Sequence, residues 1–476
     1  MNLENLIEIT SGSLINKSNE SLGNIKINDI SIDSRTIQTG DVFIAIKGDK
    51  FDGHDFIQEV ISKGTICCLI SDKNCLESLN KELCCNIVLV DDTTKAFGQI
   101  AKYIISNFNF PVIAITGSCG KTTTKEALAA ILKTKGNVLY SEKSFNNHVG
   151  VPLTALKALK NNQDYVAAIF EIGTNHRGEI DYLTKIVRPN VAILTKVAPV
   201  HIGNFGSIDD LVYEKQQIFK YLNENNLAIV NQDDFYKYKH EKANTKYFAI
   251  DTIDNADIYA SDIVLNKKQL ANFNLHYQNK KININSPLLG KHNIYNILSA
   301  ALAALNLGYT LDDVKEGIEK NLKAISGRLE IKSGINDSII IDDAYNANPI
   351  AVKASLDILA NYENNSKKCF VFADMGELGD DAKLYHKEIG QIINEMGIDY
   401  FFAYGELVKY SIDNYNKLEN KLENKLGNKV GIYCSSKDDL TLKLKELLNK
   451  EKGLTLLFKG SNSMGLKDVV NNLVNK

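Results

Sequence analysis

The chain has 476 residues, of which 44% are hydrophobic and 24% charged, a composition typical of a globular protein with roughly two to four domains. The formal net charge of −3 gives no indication of binding to nucleic acid or to an anionic membrane. No apolar run approaches the roughly 20 residues of a membrane-spanning helix, and no secretion signal opens the chain, so we expect a cytoplasmic protein.

The first 90 residues contain short β-type runs, among them residues 41–46 and 87–90, which glycine and aspartate separate. This pattern predicts a small α/β unit. The segment from Thr93 to Phe108 is predicted to form a helix, with Asp91 or Asp92 as its N-cap.

From Phe110 onward, apolar runs alternate with helical stretches; the runs are PVIAIT, YVAAIFEI, NVAILT and NLAIVN. Their nearly continuous hydrophobicity predicts a parallel sheet that is buried on both faces. A more alternating, β-rich patch follows at about residues 246–289, and a long helix rich in alanine and leucine is predicted from Asn293 to Leu307.

A third sheet is predicted after residue 327. Lys323 to Arg328 is interpreted as a linker, and strand-like runs then recur at residues 338–342, 368–373, 400–404 and 454–458. We therefore predict an α/β fold of three domains, with boundaries at residues 1–90, 91–326 and 327–476.

The segment ITGSCGKTTTKE, from Ile115 to Glu126, lies between a predicted strand and a predicted helix. Glycines let the backbone N–H groups face an anion, and the helix N-terminus adds its dipole. In this pattern the lysine binds the β- and γ-phosphates, and the following hydroxyl binds Mg²⁺. The first glycine of the general pattern is replaced by Ile115, so the loop is a shortened variant. We predict nucleotide binding by Gly117, Ser118, Cys119, Gly120, Lys121, Thr122 and Thr123.

Two further polar residues follow predicted parallel strands. Glu171 ends the run YVAAIFE, and His201 follows the run NVAILT. Ligands bind at the carboxyl ends of parallel strands, so we predict that Glu171 binds Mg²⁺ and that His201 is a metal ligand. The alternatives are a surface or helix-capping glutamate and an ordinary loop histidine.

Several motifs resemble the Mur ligase family of peptidoglycan synthesis, in order and over nearly the whole chain. The N-terminal block DSRTIQTGDVFIAIKGDKFDGHDF resembles that family's UDP-substrate domain. The later motifs are TGSCGKTTTKE, SFNNHVGVPLT, EIGTNHRGEI, HIGNFGSIDDLVYEKQQIF, GKHNIYNILSAALAA, GRLE, DDAYNANP and KGSNSMGL. The resemblance implies a small α/β UDP-substrate domain, a central P-loop-type parallel-sheet ATPase domain and a C-terminal Rossmann-like α/β domain that closes over ATP.

The resemblance also implies the reaction. In this family ATP phosphorylates the terminal carboxylate of a growing peptide, and an amine then displaces phosphate from the acyl phosphate. DDAYNANP, SFNNHVGVPLT and the chain length resemble the member that joins D-alanyl-D-alanine to a UDP-N-acetylmuramoyl-tripeptide. These two substrates, with ATP and Mg²⁺, are the partners that the resemblance implies, and we expect a monomer.

The resemblance assigns roles to individual residues. Lys215 matches the lysine that the family carbamylates, which would hold a second Mg²⁺ with His201; without the resemblance it would be a solvated charge beside Glu214. The implied catalytic residues are Lys121, Glu171, His201 and Lys215. The implied adenine contacts are Asn293 and Asn296, and the implied phosphate and ribose contacts are Arg328 and Asp343.

Substrate contacts are implied in all three domains. The residues that would face the muramoyl-peptide are Asn146, Asn147 and His148. Those that would shape the uridine-diphosphate pocket are Asp33, Ser34, Arg35, Gly53, His54 and Asp55. Those near the incoming dipeptide would be Asn346, Asn348, Lys459 and Ser461. The family often has arginine where this chain has Asn462, so one cation is lost at that turn.

Three alternatives remain at this point. A sister ligase that adds one amino acid usually carries an Asp-Asn-Pro-Arg-like motif, which this sequence lacks. Folylpolyglutamate synthase shares the fold and the carbamylated lysine, but we would not expect it to have the N-terminal block. A non-catalytic nucleotide-binding homologue would be expected to have lost at least one of the four implied catalytic residues, and all four are present.

Overall fold

The structure is a computed structural model, which describes residues 1–16, 21–77, 85–141, 144–160, 164–198, 202–234, 243–363, 366–419 and 431–475. Within these ranges the strands form three sheets, and each sheet lies inside one of the three predicted ranges. Among the described residues, we find no helix with the length and apolar character needed to cross a bilayer.

The N-terminal sheet has five strands in the order β1-β5-β4-β3-β2. Only β1 runs antiparallel to its neighbour, and the other pairs are parallel. The strands are β1 (Ser13–Asn16), β2 (Ile30–Ser31), β3 (Val42–Ile44), β4 (Cys67–Ile70) and β5 (Asn86–Leu89). The helices are α1 (Leu3–Thr10) and α2 (Ile57–Ser62).

The central sheet has nine strands in the order β14-β13-β12-β11-β10-β9-β6-β8-β7. The pairs from β7 to β12 are parallel, as predicted for the continuous apolar runs. The patch predicted as β-rich supplies β11 and the antiparallel β12–β14. The strands are β6 (Val112–Thr116), β7 (Asn137–Tyr140), β8 (Tyr165–Glu171), β9 (Val191–Leu194), β10 (Leu227–Asn231), β11 (Asn244–Ala249), β12 (Ile258–Leu265), β13 (Leu270–Tyr277) and β14 (Lys280–Leu289).

Helices cover the central sheet. The predicted helix after the first domain is α3, and Asp92 is its N-cap, because its carboxylate accepts from two backbone N–H groups. The predicted alanine-rich helix is α9. The helices are α3 (Thr93–Ser106), α4 (Lys121–Leu132), α5 (Gly150–Lys160), α6 (Glu179–Val187), α7 (Ile202–Phe205), α8 (Ile208–Gln216), α9 (His292–Asn306) and α10 (Leu311–Glu316).

The N-terminal and central domains share one hydrophobic core. Helix α3 packs against α1 of the first domain and against α5 and α6 of the second. A single buried cluster therefore includes Leu6 from α1, Phe97 from α3 and Phe170 from β8. Burial of this apolar surface stabilises one fixed arrangement of the two domains.

The C-terminal sheet has six strands in the order β15-β16-β20-β17-β18-β19, with only the β15–β16 pair antiparallel. The strands are β15 (Glu330–Ser333), β16 (Ile339–Asp343), β17 (Lys368–Ala373), β18 (Tyr400–Tyr404), β19 (Gly431–Cys434) and β20 (Thr455–Lys459). The helices are α11 (Pro349–Ala360), α12 (Ala382–Glu395), α13 (Val408–Glu419), α14 (Lys437–Lys450) and α15 (Leu466–Asn471).

The C-terminal domain has cores of its own. Its two buried clusters lie on the two faces of the sheet, and Leu289 at the end of β14 is the buried central-domain residue that joins one of them. The predicted linker follows a π-helical turn (Gly317–Asn321) and has no strand or helix until β15. The short 3₁₀ helices are Leu22–Asn24, Gly53–Phe56, Lys73–Leu76, Gln217–Phe219, Ile335–Asp337, Gly379–Asp381 and Asn462–Met464.

Candidate active site

The predicted phosphate-binding loop connects β6 to α4. Gly117 and Gly120 have φ values of +150° and +85°, a region that side chains disfavour. A Cβ at Gly120 would overlap the side-chain oxygen of Asn296, and one at Gly117 would overlap the hydroxyl of Thr195. The loop thus packs directly on α9 and on the end of β9, and α4 begins at Lys121 with its N-terminus facing the same space.

Lys121 folds back over this loop. Its Nζ donates to the carbonyl oxygen of Gly117 at 2.8 Å. Burial lowers the pKa of Lys121, and the nearby carboxylate of Glu171 opposes that shift. The ammonium group is therefore held in a desolvated position where an anion would interact with it strongly.

Thr122 and Glu171 form a buried pair of oxygen ligands. The hydroxyl of Thr122 donates to Glu171 Oε2 at 2.9 Å, and Asn146 Nδ2 donates to Glu171 Oε1 at 2.9 Å. Arg328 Nη2, from the linker, donates to the Thr122 hydroxyl at 2.9 Å. Glu171 is 1% exposed, so the alternative of a surface glutamate does not describe it.

These residues line a cavity of about 380 Å³ between the central and C-terminal domains. Most of the predicted nucleotide-binding residues meet there. The predicted residues in the lining are Ser118, Cys119, Gly120, Lys121, Thr122, Thr123, Asn146, Glu171, Asn293, Asn296, Arg328, Asp343, Asn346, Asn348 and Lys459. The predicted residues outside the lining are Gly117, Lys215, Asn147, His148, Ser461, Asp33, Ser34, Arg35, Gly53, His54 and Asp55. His201 lies outside the described residues.

The start of α9 forms one end of the cavity. Asn296 Nδ2 donates to Asn293 Oδ1 at 2.8 Å, and Asn293 Nδ2 donates to the carbonyl of Leu289 at 2.8 Å. His292 lies beside them, and burial lowers its pKa to about 4, so its imidazole is neutral near pH 7. Sequence reasoning missed His292 as a site residue, although it stands next to Asn293 in GKHNIYN.

Two cavity-lining residues outside the predicted set lie on either side of the cleft. The Tyr345 ring lies 4.4 Å from the Arg328 guanidinium, which stacks on it. Lys196 follows β9, and its carbonyl accepts from the N–H of Ser118 at 2.6 Å. Tyr345 was recognisable only as part of DDAYNANP, and Lys196 only as the residue between a strand and APVH.

Asp343 and Lys459 form a buried ion pair across neighbouring strands. They are direct partners in the register of β16 and β20, and their charged atoms lie 2.7 Å apart. Ser355 also donates to Asp343 at 2.6 Å, and Lys459 donates to the carbonyl of Asn346 at 2.7 Å. The Lys459 charge, which we predicted to face the dipeptide, is thus engaged with Asp343 on the cavity wall.

The other predicted dipeptide residues also hold backbone in place. Asn348 caps α11, with its side-chain oxygen accepting from the N–H of Ala351 at 2.8 Å. The Ser461 hydroxyl accepts from the N–H of Gly376 at 2.7 Å. Asn462 is exposed in the short helix that follows.

Lys215 is buried at 1% exposure on α8. Within the described residues it makes no hydrogen bond or ion pair; Glu214 instead accepts from the N–H groups of Gly178 and Ile180 at 2.8 and 2.9 Å. Burial and then the neighbouring Lys121 charge lower the pKa of Lys215 well below its ordinary value. The alternative interpretation of Lys215 as a solvated charge is therefore wrong.

The donors around Thr122 suit a hard cation. Hydroxyl and carboxylate oxygens are the ligands that Mg²⁺ prefers, and Thr122 and Glu171 already lie within hydrogen-bonding distance of each other. Among the described residues no group of three or more histidine, cysteine, aspartate or glutamate side chains is placed to bind a metal. A metal at this position would be held by the Thr122 hydroxyl and the Glu171 carboxylate from the described part of the chain.

Among the predicted uridine-diphosphate residues, Asp33 and Arg35 form an ion pair at the surface, whereas His54 is buried. Arg35 forms two hydrogen bonds with Asp33, at 2.8 and 2.7 Å, and these hold the pKa of Asp33 at about 2. His54 is buried, with Nδ1 2.6 Å from Asp52 Oδ1, and Nε2 accepts from the N–H of Ser71 at 3.0 Å. Both ring nitrogens of His54 are therefore occupied within the domain.

The remaining predicted residues of the first two domains shape loops. A Cβ at Gly53 would lie 2.7 Å from the backbone nitrogen of Ile46, so glycine allows that approach. Lys63 donates to the carbonyl of Ser34 at 2.8 Å. Asn147 accepts from the N–H of Gly150 at 2.8 Å. His148 and Asp55 are exposed.

The C-terminal domain reaches the phosphate-binding loop directly. Asn348 Nδ2 lies 3.4 Å from Cys119 Sγ, and Arg328 bonds Thr122 as described above. Farther along the cleft, the backbones of Gly203 in α7 and Gly379 meet. The structure therefore has the cleft closed.

Comparison with known proteins is consistent over the whole chain. Residues 26–104 match the Mur ligase family catalytic domain, residues 115–304 the Mur ligase middle domain, and residues 327–462 the Mur ligase glutamate ligase domain. The UDP-N-acetylmuramoyl-tripeptide–D-alanyl-D-alanine ligase of Buchnera aphidicola subsp. Baizongia pistaciae is 36% identical, with 100% of this chain and 98% of that protein covered. The protein of the same name from Escherichia coli is 33% identical, with 98% of each covered.

Solved structures agree with this result. A crystal structure of MurF from Acinetobacter baumannii superposes with a TM-score of 0.86 at 29% identity, covering 100% of this chain and 99% of that one. The MurF ligase of Thermotoga maritima in complex with ADP gives a TM-score of 0.77 at 26% identity, covering 94% and 97% of the two chains.

Proposed function

The chain belongs to the Mur ligase family, and from this premise we propose that it joins D-alanyl-D-alanine to UDP-N-acetylmuramoyl-tripeptide with ATP, the ligation for which its full-length relatives are named. It is an ATP-dependent ligase of peptidoglycan precursor synthesis. The observation that carries the proposal is the closed cavity, in which Lys121, the Thr122–Glu171 pair and Arg328 meet from two domains.

The first step is transfer of the γ-phosphoryl group to the tripeptide carboxylate. Both reactants are anions, so the site must offset their repulsion and hold them in line. The desolvated ammonium of Lys121 serves this purpose, and Arg328 brings a second cation to the Thr122 hydroxyl. The loop N–H groups and the N-terminus of α4 face the remaining phosphate oxygens.

Thr122 and Glu171 would hold Mg²⁺, and when bound there it supplies positive charge to the β- and γ-phosphate oxygens. The Thr122 hydroxyl would bind the metal through a lone pair, and one of its lone pairs now accepts from Arg328. Asn146 would keep the Glu171 carboxylate oriented through its bond to Oε1. A Glu171→Gln variant should therefore lose ATP affinity relative to the parent, and the loss should be larger with Mg²⁺ than without it.

Lys215 is proposed to be carbamylated. Its lowered pKa favours the neutral amine, whose lone pair adds to CO₂ as one N–C bond forms, one C–O π bond opens and one proton is lost to water. The resulting anion would compensate the cation of Lys121 nearby, and with His201 it would supply ligands for a second Mg²⁺.

The second step is attack of the dipeptide amine on the acyl phosphate. The amide C–N bond forms, the C–O bond to phosphate breaks with its electron pair leaving on phosphate, and the amine gives up a proton. Water must be kept out during this step, because it would compete with the amine. The contacts of Asn348 and Arg328 with the phosphate-binding segment close the cleft for this purpose.

The other proposed elements follow from the family premise. The N-terminal domain would bind the uridine diphosphate near Asp33 and Arg35. The residues around Asn346 and Ser461 would face the dipeptide in the third domain. We propose that the enzyme acts as a monomer in the cytoplasm, where the nucleotide-linked precursor and ATP are both available.

The test is phosphate release from ATP and Mg²⁺ with UDP-N-acetylmuramoyl-tripeptide, with and without D-alanyl-D-alanine. Release that needs both substrates, with a matching mass gain in the product, supports the proposal. Release with the UDP-muramoyl-dipeptide and a single amino acid would move the chain to a sister step. A Lys121→Met variant is the matched control, and it should lose release by at least roughly a thousandfold.

A further inference from the structure

The closed cleft contains one contact made by backbone alone. A Cβ placed on Gly203 would lie 2.9 Å from the Cα of Gly379, and the reverse distance is also 2.9 Å. Ordinary contacts between such atoms are several tenths of an ångström longer. The two domains therefore approach at this point more closely than any residue with a side chain would allow.

Both sides of this contact are anchored within their own domains. On the central side, Phe205 of α7 is buried, and its carbonyl accepts from Arg177 Nη2 at 2.8 Å. Arg177 is in turn paired with Asp210 at 2.8 Å. A methyl group added at Gly203 could not be absorbed by rotation of a flexible neighbour.

On the C-terminal side, the segment that leads to Gly379 is held at several points. Met375 is buried and its N–H donates to His386 Nε2 at 3.0 Å, while the N–H of Gly376 donates to the Ser461 hydroxyl at 2.7 Å. Leu378 is also buried. Gly379 is thus connected through a short, well-packed segment to Ser461, a residue proposed to face the dipeptide.

We propose that Gly203 and Gly379 are positioning residues whose contact sets the distance at which the C-terminal domain closes, and hence the alignment of the dipeptide amine with the acyl phosphate. This inference rests on the proposed function. A side chain at either glycine would require the two backbones to move apart by on the order of 1 Å. A misplacement of that size can cost roughly a hundredfold in rate.

Gly203→Ala is the decisive variant, because alanine at this helical position is favoured locally and the backbone there is not left-handed. We expect the rate of amide formation to fall by roughly 10- to 100-fold and the KM for D-alanyl-D-alanine to rise. The KM for ATP should stay within about twofold, since most of the phosphate contacts belong to the central domain. Phosphate released per peptide product should rise above one, because water gains access to the acyl phosphate.

Asn204→Ala is the matched control, as the same helix gains the same residue type at an exposed position beside Gly203. This variant should keep the parent's rates and release one phosphate per peptide product. Gly203→Ser repeats the steric test and should show the same changes in rate and KM as Gly203→Ala. The melting temperatures of both variants show whether they fold as the parent does. A parent with no phosphate release that depends on D-alanyl-D-alanine would overturn the proposed function. An active parent whose Gly203→Ala and Gly203→Ser variants keep its rates and ratio would overturn this inference alone.

Discussion

Lys215 is a buried amine that lies near the charge of Lys121. An amine that is 1% exposed and has no partner in the described part of the chain carries a large desolvation cost when it is protonated. Its lowered pKa is the physical expression of that cost. Such a residue is retained where its chemistry is needed, since an apolar side chain of similar length would stabilise the fold more.

The Lys215→Met variant tests this reasoning. In CO₂-depleted buffer at pH 7 we expect its free energy of unfolding to exceed that of the parent by about 1–3 kcal/mol, while ligase activity falls by at least roughly a hundredfold. Between the lowered folded pKa and the ordinary value of 10.5, the unfolded state binds more protons, so the parent becomes more stable as the pH rises and the difference shrinks.

Urea denaturation at pH 7 and about pH 9.5 measures both parts of this prediction. Lys185→Met serves as the control, because Lys185 is exposed and its replacement should change stability by at most about 0.5 kcal/mol. A Lys215→Met variant less stable than the parent at pH 7 would contradict the interpretation of Lys215 as an uncompensated amine.

Cys119 offers a chemical probe of the cavity. It is half-buried in the cavity lining, whereas Cys67, Cys68, Cys85, Cys369 and Cys434 are buried. Iodoacetamide should alkylate Cys119, abolish most of the ATP-dependent activity, and react at least roughly tenfold more slowly when ATP is bound. Peptide mass mapping identifies the site, and Cys75→Ser controls for the other described half-buried thiol. Equal labelling with and without ATP would show that the nucleotide binds elsewhere.

At the residue scale, the sequence predicts site residues whose position depends on local strand, loop and helix signals. It does not predict side-chain contacts with residues far along the chain. Lys121, Thr122 and Glu171 were predicted as site residues because strand, loop and helix signals fix where they stand, and the structure brings them to one cavity. The engagement of Lys459 by Asp343, and of His54 by Ser71, depends on strand register and loop packing. No motif or spacing in the sequence carries that information.

At the element scale, α3 packs against helices of the first two domains, and its Gly98 lies at a close contact. A Cβ at Gly98 would overlap the hydroxyl of Tyr182 and lie 2.9 Å from Ile186 Cδ1. Among the described residues that buried hydroxyl has no hydrogen-bond partner, and burial raises the pKa of Tyr182. Gly98 therefore has a packing role that outweighs its poor helix propensity.

Gly98→Ala should lower the free energy of unfolding by about 1–3 kcal/mol despite the gain in helix propensity. Tyr182→Phe alone should be neutral or stabilising by up to about 1 kcal/mol, because it removes an unsatisfied hydroxyl. The double variant should recover part of the loss, which a double-mutant cycle in urea measures. Strict additivity of the two changes would show that Gly98 and Tyr182 do not meet.

The elements themselves were largely predictable. Continuous apolar runs identified β6, β8, β9 and β10, and the capping aspartate identified the start of α3. Among the strands that were not predicted, β15 has only intermediate and exposed positions and β19 is a run of four residues, so both depend on pairing with a neighbouring strand. The alternating patch was recognised as β-rich, but its strand order and direction depend on contacts far apart in sequence.

At the scale of the whole molecule, the three domains are expected to unfold as two cooperative units. The first two domains share one core, and the third has its own. Calorimetry of the full chain should therefore show two unfolding transitions, one for residues 1–326 and one for the remainder. A non-hydrolysable ATP analogue with Mg²⁺ should raise the midpoint of both, because both units line the cavity. Three separate transitions would contradict a shared core.

The shared core has a consequence for how the donor is selected. Because the N-terminal and central domains share one core, the span from the proposed uridine-diphosphate pocket near Asp33 to the ammonium of Lys121 would be a fixed length. One extended residue adds about 3.5 Å to a peptide. A donor one residue short would leave its carboxylate that far from the phosphate, with no domain movement to make up the gap. In the proposed function, the first two domains would therefore select the donor by the length of its peptide, and the third domain would bring the dipeptide to the end of that peptide.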